Sequence, residues 1–299
     1  MVRLSIWRAG VPRTSAVWVR PWLSPSSSPG GASVRPETQS SGHRPRKRFG
    51  QHFLRDRAVI DAIVAIIAPQ PGDHLVEIGP GEGVLTRPLL ASRARVDAVE
   101  LDRDLVRQLA VRFGETAAFR LHAGDALAFD FAELAAPGET LRIVGNLPYN
   151  ISTPLLLRLM FHYGPWLRDM VFMLQQEVVD RLAAAPGNGD YGRLSVITQA
   201  LCSVEPVLVV PPTAFEPPPK VMSAVVRLTP LPAALPTKLR ESLERLVKLA
   251  FAQRRKTLRH TLGKALDAEL LASSGIGLQQ RAEEIPVASY VRLAQLSCR

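Results

Sequence analysis

The sequence predicts an α/β fold in which a parallel, doubly wound sheet is followed by a small all-helical domain. Between about residue 55 and residue 184, short apolar runs with strand character alternate with stretches of helical spacing. This alternation is typical of a parallel sheet with crossover helices. A glycine-rich turn follows the first of these strands, and no strand pattern remains after about Pro236.

The elements can be assigned in order from Arg48 onwards. RFGQHFL precedes a helix in RDRAVIDAIVAIIA, whose apolar residues recur at helical spacing and whose end is marked by PQPG. The predicted strands are HLVEIGPGEGV running into the glycine turn, RVDAVELD, AFRLHAGDA, LRIVGNLPY, DMVFMLQ, VEPVLVVPP and SAVVRLTP. The predicted helices between them are VLTRPLLAS, RDLVRQLAVRF, STPLLLRLMFHY and QEVVDRLAA. KLRESLERLVKLAFAQRRKTLRHTLGKAL is predicted to contain helices only.

The composition divides the chain into three parts, which we predict to be residues 1–43, 44–234 and 235–299. Residues 1–43 are rich in Pro, Ser and Gly and lack a sustained apolar period, so we expect a disordered basic extension. The segment is also Arg-rich and Ser-rich with one acid, which leaves a mitochondrial transit peptide as an alternative. An extension from an upstream start codon is a third interpretation. Residues 44–234 form the predicted sheet domain, and residues 235–299 form the helical one.

Charge and cysteine content exclude several classes of protein. The net charge is +10, but residues 1–48 contribute +8 of it, so only local patches can argue for nucleic-acid binding. Two distant cysteines without a CxxC pair argue against a disulfide scaffold and a zinc site, and we predict no metal. No apolar run approaches the roughly 20 residues that span a bilayer. We expect a cytoplasmic protein, or a mitochondrial one if residues 1–43 act as a transit peptide.

The glycine-rich turn predicts a ligand site. Gly79, Gly81 and Gly83 in EIGPGEG follow a strand and open a helix. Glycine at such positions allows a sharp turn and a close approach of the backbone to a ligand. The motif alone is weak, because it fits a dinucleotide-dependent dehydrogenase as well as a methyltransferase, and it can be a structural turn only.

Two acids at neighbouring strand ends sharpen this prediction. Glu100 ends the next strand, where a carboxylate can accept both hydroxyls of a ribose, and Asp125 ends the third strand, where it can accept from an adenine amine. The helix after the turn has no basic residue before Arg87, which favours a nucleoside over a pyrophosphate. With Glu77 beside the turn to face a cation, the pattern indicates S-adenosylmethionine. The alternative is that both acids are solvated strand ends.

The stretch GNLPY ends the fourth strand, beside the predicted cofactor crevice. An exocyclic adenine amine is a poor nucleophile because its lone pair is delocalised into the ring. The Asn146 side-chain oxygen and the Leu147 carbonyl could accept its two N–H bonds and free that lone pair. Pro148 restricts Leu147 to extended geometry, and Tyr149 offers a flat face to an unstacked base. The sequence therefore predicts adenine N6 methylation, although Asn-x-Pro is also a turn signal.

At this point the chain resembles the ribosomal RNA small-subunit adenine N6-dimethyltransferase family, the kasugamycin-resistance type. The resemblance covers about residues 46–299 and rests on blocks in the family's order: RKRFGQHFL, VEIGPGEGVLT, VELDRDL, GDAL, GNLPYNISTPLL, FMLQQEVVDRL, YGRLSV, FEPPPKVMSAVVRL and AFAQRRKTLRHTL. It implies a Rossmann-like class I S-adenosylmethionine-dependent methyltransferase. The implied reaction is dimethylation of N6 on two adjacent adenosines in the 3′-terminal hairpin of small-subunit rRNA. Only the amino-terminal extension departs from the family's pattern.

The resemblance also assigns individual residues. It implies cofactor contacts at His52, Leu54, Gly79, Glu100, Asp125 and Asn146, and Gly81 joins them through the glycine turn. Within GQHFL, His52 is expected to lie over the cofactor. Phe215 precedes a rigid proline run and could stack on the opposite face of the flipped adenine, although a core position is also plausible. Phe172 is expected in the core.

Two acid-free basic clusters flank the predicted pocket. One lies just before the first helix and contains Arg46, Lys47 and Arg48. The other occupies 248–264, on one or two short predicted helices, and contains Lys248, Arg254, Arg255, Lys256, Arg259 and Lys264. Lysine and arginine clusters bind phosphates without regard to sequence. A solvated face is the alternative, but beside a base-flipping pocket the clusters favour RNA.

Other functions remain open from the sequence alone. A DNA adenine methyltransferase or a large-subunit rRNA methyltransferase could use a similar pocket, although FEPPPKV and the helical domain favour the small-subunit type. A non-catalytic ribosome-assembly or mitochondrial transcription factor of the same fold is the alternative from another class. The expected partners are small-subunit rRNA and the immature small ribosomal subunit, and we expect a monomer.

Overall fold

The structure is a computed structural model that describes residues 51–298. The predicted disordered segment, 1–43, and the predicted RNA-binding residues Arg46, Lys47 and Arg48 lie outside this range. Within it, no helix combines the length and the apolar character needed to cross a membrane.

Residues 51–298 contain nine strands and nine α-helices, joined by loops and short turns. The strands are β1 Phe53–Leu54, β2 His74–Ile78, β3 Arg95–Glu100, β4 Phe119–Ala123, β5 Leu141–Asn146, β6 Leu167–Gln175, β7 Cys202–Val210, β8 Phe215–Glu216 and β9 Ser223–Pro230. The helices are α1 Arg57–Ile67, α2 Thr86–Ala91, α3 Arg103–Phe113, α4 Ser152–Arg158, α5 Gln176–Ala183, α6 Arg193–Leu201, α7 Thr237–Ala250, α8 Ala268–Ser273 and α9 Val287–Ser297.

The main sheet contains seven strands in the order β4-β3-β2-β5-β6-β9-β7. The first five are mutually parallel, as predicted. The expectation of a parallel sheet is wrong for one strand, because β9 runs antiparallel to both β6 and β7, which leaves β7 parallel to β6. The connection from β7 to β9 contains only a single 3₁₀ turn and β8, and therefore no crossover helix that could return the chain for parallel pairing.

A second, two-stranded sheet joins distant parts of the chain. β1 pairs antiparallel with β8, with Phe53 opposite Glu216 and Leu54 opposite Phe215. Each strand is two residues long, too short for a periodic pattern in the sequence. This pairing brings the segment before α1 against the loop before β9, beside the carboxyl ends of β2 and β5.

Helices cover both faces of the main sheet, because its central strands are almost wholly buried. β2 and β3 contribute apolar residues to one core with α1, α2 and α3, while α4 and α5 pack on the opposite face. Asp56 caps α1 by accepting from the backbone of Ala58 and Val59. Phe172, expected in the core, is fully buried there.

A buried ion cluster holds the amino-terminal edge of the sheet. Arg142 at the start of β5 donates to Asp73 (Nη1–Oδ2 2.7 Å) and to Asp169 (Nε–Oδ1 2.7 Å). Its Nη2 also donates to the Ile67 carbonyl at 2.6 Å. All three charged side chains are less than a tenth exposed. The cluster links the end of α1, the approach to β2 and strands β5 and β6, away from the predicted catalytic edge.

The carboxyl-terminal helices share a core with α6 of the sheet domain. Leu243, Leu246 and Tyr290 pack in one apolar cluster with Val196 and Ile197. The predicted boundary at 234/235 falls in the connection between β9 and α7, and stays a prediction.

The basic stretch after α7 differs from the predicted run of helices. It forms short 3₁₀ turns at Phe251–Gln253, Leu258–His260 and Leu262–Lys264. Leu258 donates its backbone N–H to Gln280 and Arg259 donates to Leu278, so these groups bond to a distant segment instead of the preceding helical turn.

Candidate cofactor and adenine site

The glycine turn after β2 has the backbone geometry that the sequence predicted. Gly79, Gly81 and Gly83 adopt φ values of 64°, 58° and 78°, in the left-handed region that favours glycine. A Cβ at Gly83 would lie 2.6 Å from the Phe113 ring, so the turn also requires a small residue for packing.

Glu100 lies at the end of β3 against this turn. Its Oε2 accepts from the Gly81 backbone N–H at 3.2 Å, and its Oε1 accepts from the Asp102 N–H at 2.9 Å. Burial raises the pKa of Glu100, although the backbone hydrogen bonds oppose this effect. The carboxylate is thus fixed in direction by two amides at the edge where a ribose was predicted.

The other two predicted acids differ in environment. Glu77 is fully buried and accepts from the Thr86 hydroxyl at 2.6 Å, and burial, with the nearby Glu100 charge, raises its pKa to about 7. Asp125 is exposed, and one of its oxygens accepts from the Leu127 backbone N–H at 2.9 Å. Both line the same cavity. Their predicted contacts, Glu77 with a cation and Asp125 with an adenine amine, stay predictions.

One cavity of about 410 Å³ brings the predicted site residues together. This volume is in the range of small-molecule sites. It is lined by every residue predicted to bind the cofactor, namely His52, Leu54, Gly79, Gly81, Glu100, Asp125 and Asn146, and by Leu147, Pro148 and Tyr149. The left-handed glycine turn allows the backbone to approach a ligand closely, and the buried carboxylates of Glu77 and Glu100 offer acceptors and negative charge to a cationic nucleoside. These residues therefore fit S-adenosylmethionine.

Asn146 ends β5 at the wall of the cavity. Its Nδ2 donates to the His52 carbonyl at 3.3 Å, so the amide has a definite orientation and Oδ1 is the atom left to accept from a substrate. The next residue is anchored as well. Leu147 is buried, and its backbone N–H donates to the Met173 carbonyl at 3.2 Å.

The Tyr149 side chain has a hydrogen-bond partner at its hydroxyl and a second ring beside its own ring. The hydroxyl lies 3.0 Å from the Ser223 Oγ. The His52 ring lies alongside, with 6.0 Å between ring centroids and 28° between planes. Burial raises the pKa of Tyr149, so the hydroxyl stays protonated at neutral pH.

Residues 51–55 form a cover over the cavity that the sequence only partly revealed. The His52 Nδ1 lies 2.7 Å from the Pro217 carbonyl oxygen. Arg55 pairs with Glu82 in the glycine turn and, through Nε at 3.2 Å, with Glu216 in β8. These partners are distant in the chain and carry no local motif, which explains why Arg55, Glu82 and Glu216 were missed.

Phe215 lies in the core, one of the two positions that the sequence left open, and its stacking on an adenine stays a prediction. It is 5 % exposed, packs in the apolar core with Leu54, and is absent from the cavity wall. Its place in β8, opposite Leu54, brings the side chain against this core. Of the two positions that the sequence left open, the core position agrees with this burial.

The basic residues of the helical part that were predicted to bind RNA are all exposed. Lys248 lies in the last turn of α7, and Arg254, Arg255, Lys256 and Arg259 lie in the turns that follow. The Arg254 side chain already has partners within the protein. Its Nε lies 3.2 Å from Glu283, and its guanidinium also donates to the Gly189 carbonyl. The others carry the charge available to a phosphate backbone.

Comparison with known proteins places this geometry in a family. Residues 42–297 match the model of the family described as ribosomal RNA adenine dimethylase. The chain is 54% identical over 255 residues to the ribosomal RNA small subunit methyltransferase A of Pseudomonas putida, covering 84% of this chain and 94% of the relative. It is 55% identical to the protein of that name from Ralstonia nicotianae, and the match covers 85% of this chain and 90% of the relative.

Two solved structures share the fold. A dimethyladenosine transferase from Plasmodium falciparum is 25% identical with a TM-score of 0.69, and the match covers 81% of this chain and 96% of that one. The 23S rRNA methyltransferase ErmE is 27% identical with a TM-score of 0.64, and the match covers 83% of this chain and 100% of that one.

These matches confirm the predicted Rossmann-like methyltransferase fold with a helical carboxyl-terminal part. They also confirm that the protein is an enzyme that uses S-adenosylmethionine, since adenine dimethylation by this family requires a methyl donor. The matched segment contains the glycine turn, Glu100 and the Asn146–Tyr149 strand end within one span. The chain therefore belongs to the ribosomal RNA adenine dimethylase family.

Proposed function

We propose that this protein dimethylates N6 of two adjacent adenosines in the 3′-terminal hairpin of small-subunit (16S) rRNA during assembly of the 30S subunit. One observation carries the proposal. The Asn146–Tyr149 strand end, suited to an exocyclic amine, shares a single cavity with the glycine turn and Glu100. The close relatives named for the small subunit support this substrate over large-subunit rRNA.

Different residues of the chain bind the cofactor and the substrate base. When bound, S-adenosylmethionine supplies an electrophilic methyl group. Glu100, fixed by the Gly81 and Asp102 amides, accepts from the ribose hydroxyls, and Asp125 accepts from the adenine amine of the cofactor. His52, held by the Pro217 carbonyl, lies over the cavity.

The substrate amine is activated by acceptors and not by a strong base. Asn146 Oδ1 and the Leu147 carbonyl would accept hydrogen bonds from its N–H groups and so free the nitrogen lone pair. The bound cofactor would supply the methyl group by cleavage of its methyl–sulfur bond, with the electron pair left on sulfur. The substrate nitrogen then loses its proton readily to water. Tyr149 stacks on the flipped adenine. Positioning and desolvation supply most of the rate.

The test is a comparison of methyl acceptors. Immature small subunits, large-subunit rRNA and duplex DNA containing adenine are each incubated with the purified protein and labelled S-adenosylmethionine. Mass spectrometry of the digested nucleosides should find N6,N6-dimethyladenosine from the small subunit. Methylation of DNA or large-subunit rRNA at equal or higher efficiency would contradict the proposal.

Glu100→Ala is expected to weaken S-adenosylmethionine binding by about 1–3 kcal/mol, because the ribose hydroxyls lose a charged acceptor. Isothermal titration calorimetry measures the change directly. Glu115→Ala removes an exposed carboxylate outside the cavity and serves as the control. Glu100→Gln, which keeps the side-chain shape, separates loss of charge from loosening of the Gly81 turn. Unchanged affinity in both Glu100 variants would exclude this residue from the cofactor site.

Replacing Arg255, Lys256 and Arg259 together with Ala is expected to weaken RNA binding without lowering turnover at saturating RNA. Arg254 is left in place because it pairs with Glu283. Three phosphate contacts should reduce the slope of log affinity against log salt by about 2–3. Filter binding at several salt concentrations measures the slope, and single-turnover kinetics measures the rate.

A matched control removes the same charge elsewhere. Arg87 in α2, Arg93 after α2 and Arg120 in β4 are exposed, and they lie in the sheet domain, outside the basic stretch of the helical part. Their triple alanine variant should keep the salt slope of the natural protein. Equal slopes for the two triple variants would show that non-specific charge, and not this surface, binds the RNA.

We also propose a monomer that acts on the immature small ribosomal subunit in the cytoplasm. Cys202 and Cys298 are free thiols, in agreement with a reducing compartment.

A further inference from the structure

Ser223 is buried at a junction of the sheet next to the adenine pocket. It is 1 % exposed and is the first residue of β9, where it pairs with Gln175 of β6 and Val210 of β7. Two neighbouring strands therefore fix its backbone. Its hydroxyl lies 3.0 Å from the Tyr149 hydroxyl. Among residues 51–298, Ser223 is thus the hydrogen-bond partner of the Tyr149 hydroxyl.

The antiparallel insertion of β9 is what creates this contact. Because β9 runs opposite to β6, its first residue lies at the same edge as the carboxyl ends of β5 and β6. Tyr149 follows β5 by three residues, so a rigid strand start faces a loop residue. A tyrosine ring on a loop can rotate about two side-chain bonds, and a hydrogen bond at its tip limits that rotation.

We propose that Ser223 is a positioning residue, which fixes the plane of Tyr149 on which the flipped adenine stacks. His52 lies along one side of the ring, 6.0 Å between centroids, and the Ser223 bond fixes the ring tip. The remaining face is then presented to the base at a constant angle to Asn146. This proposal rests on the proposed stacking role of Tyr149.

The test is a double-mutant cycle on the full-length enzyme with immature small subunits as substrate. Ser223→Ala keeps the backbone pairing of β9 and removes the hydroxyl, and Tyr149→Phe removes the other partner. Each should lower kcat about 3- to 10-fold, the rate equivalent of one neutral hydrogen bond, with KM for RNA and for S-adenosylmethionine unchanged. The double variant should be no slower than either single variant.

The control is Ser203→Ala, which removes an exposed hydroxyl from β7 of the same sheet and should leave kcat unchanged. The inference is overturned if Ser223→Ala has the same kcat as the natural protein. It is also overturned if the fold-loss of kcat in the double variant equals the product of the fold-losses in the two single variants. A loss of melting temperature that accounts for the loss of kcat also overturns it, because the role is then structural.

Tyr149→Ala separates failure of this inference from failure of the proposed function. Full turnover in Tyr149→Ala contradicts the stacking role and with it this inference. An inactive Tyr149→Ala beside a fully active Ser223→Ala leaves the stacking role intact and overturns the positioning role of Ser223 alone.

Discussion

Asn146→Ala is expected to slow methyl transfer steeply, raising the barrier by about 2–4 kcal/mol, which is roughly a 30- to 1000-fold loss of rate. The variant loses the Oδ1 acceptor and the Nδ2 bond that orients it against the His52 carbonyl. Affinity for RNA should stay almost unchanged, because the basic residues proposed to bind phosphates are not among those that line the cavity. Single-turnover kinetics at saturating RNA, combined with binding measurements, separates the two effects.

Asn188→Ala provides the matched control, since Asn188 is an exposed amide outside the cavity. Its turnover should equal that of the natural protein. An Asn146→Ala enzyme with turnover within about threefold of that value would remove this side chain from the reacting amine, because threefold corresponds to less than 1 kcal/mol.

Arg142→Ala should produce the largest loss of stability, about 3–5 kcal/mol, because removal of one partner leaves buried carboxylates without their counter-charge. Although burial opposes ionisation of Asp73, the Gln70 backbone N–H and the Arg142 guanidinium hold its pKa below the usual 3.8. A depressed carboxyl pKa contributes stability above pH 3.8 that is lost as the pH falls below it. The destabilisation should therefore be full at pH 7 and shrink in acid, as urea unfolding at several pH values would measure.

Arg168→Ala is the control for this substitution. Arg168 also pairs with Asp73, at 2.8 Å, but its side chain is half exposed. Solvent-exposed ion pairs contribute about 0–1 kcal/mol, so this variant should unfold at nearly the natural denaturant concentration. Equal losses for the two variants would contradict the importance of burial at Arg142.

The sequence predicted those features that depend on local pattern. Each of the seven main strands was recognisable as a short apolar run, and Gly79, Glu100 and Asn146 each end such a run. Because the carboxyl ends of parallel strands meet at one edge, strand ends alone were enough to predict that these residues share a cavity.

Features that depend on pairing between distant segments were not predictable. β1 and β8 are too short for a pattern, and nothing in SAVVRLTP distinguishes an antiparallel strand from a parallel one. The burial of Phe215 follows from its pairing with Leu54, so its local sequence, ahead of three prolines, could not decide between a core position and a base-stacking one. The pairing of Arg254 with Glu283 likewise joins segments 29 residues apart.

The cover over the cofactor cavity has a consequence for synthesis of the protein. His52 and Pro217 are 165 residues apart, yet their contact holds His52, which lines the cavity. During translation the amino-terminal segment emerges first, and contacts of such long sequence separation form late and at a high entropic cost. A nascent chain that ends before β8 would hold the glycine turn without its cover. Cofactor affinity should thus be acquired abruptly near the end of synthesis of the sheet, so that incomplete chains do not sequester S-adenosylmethionine.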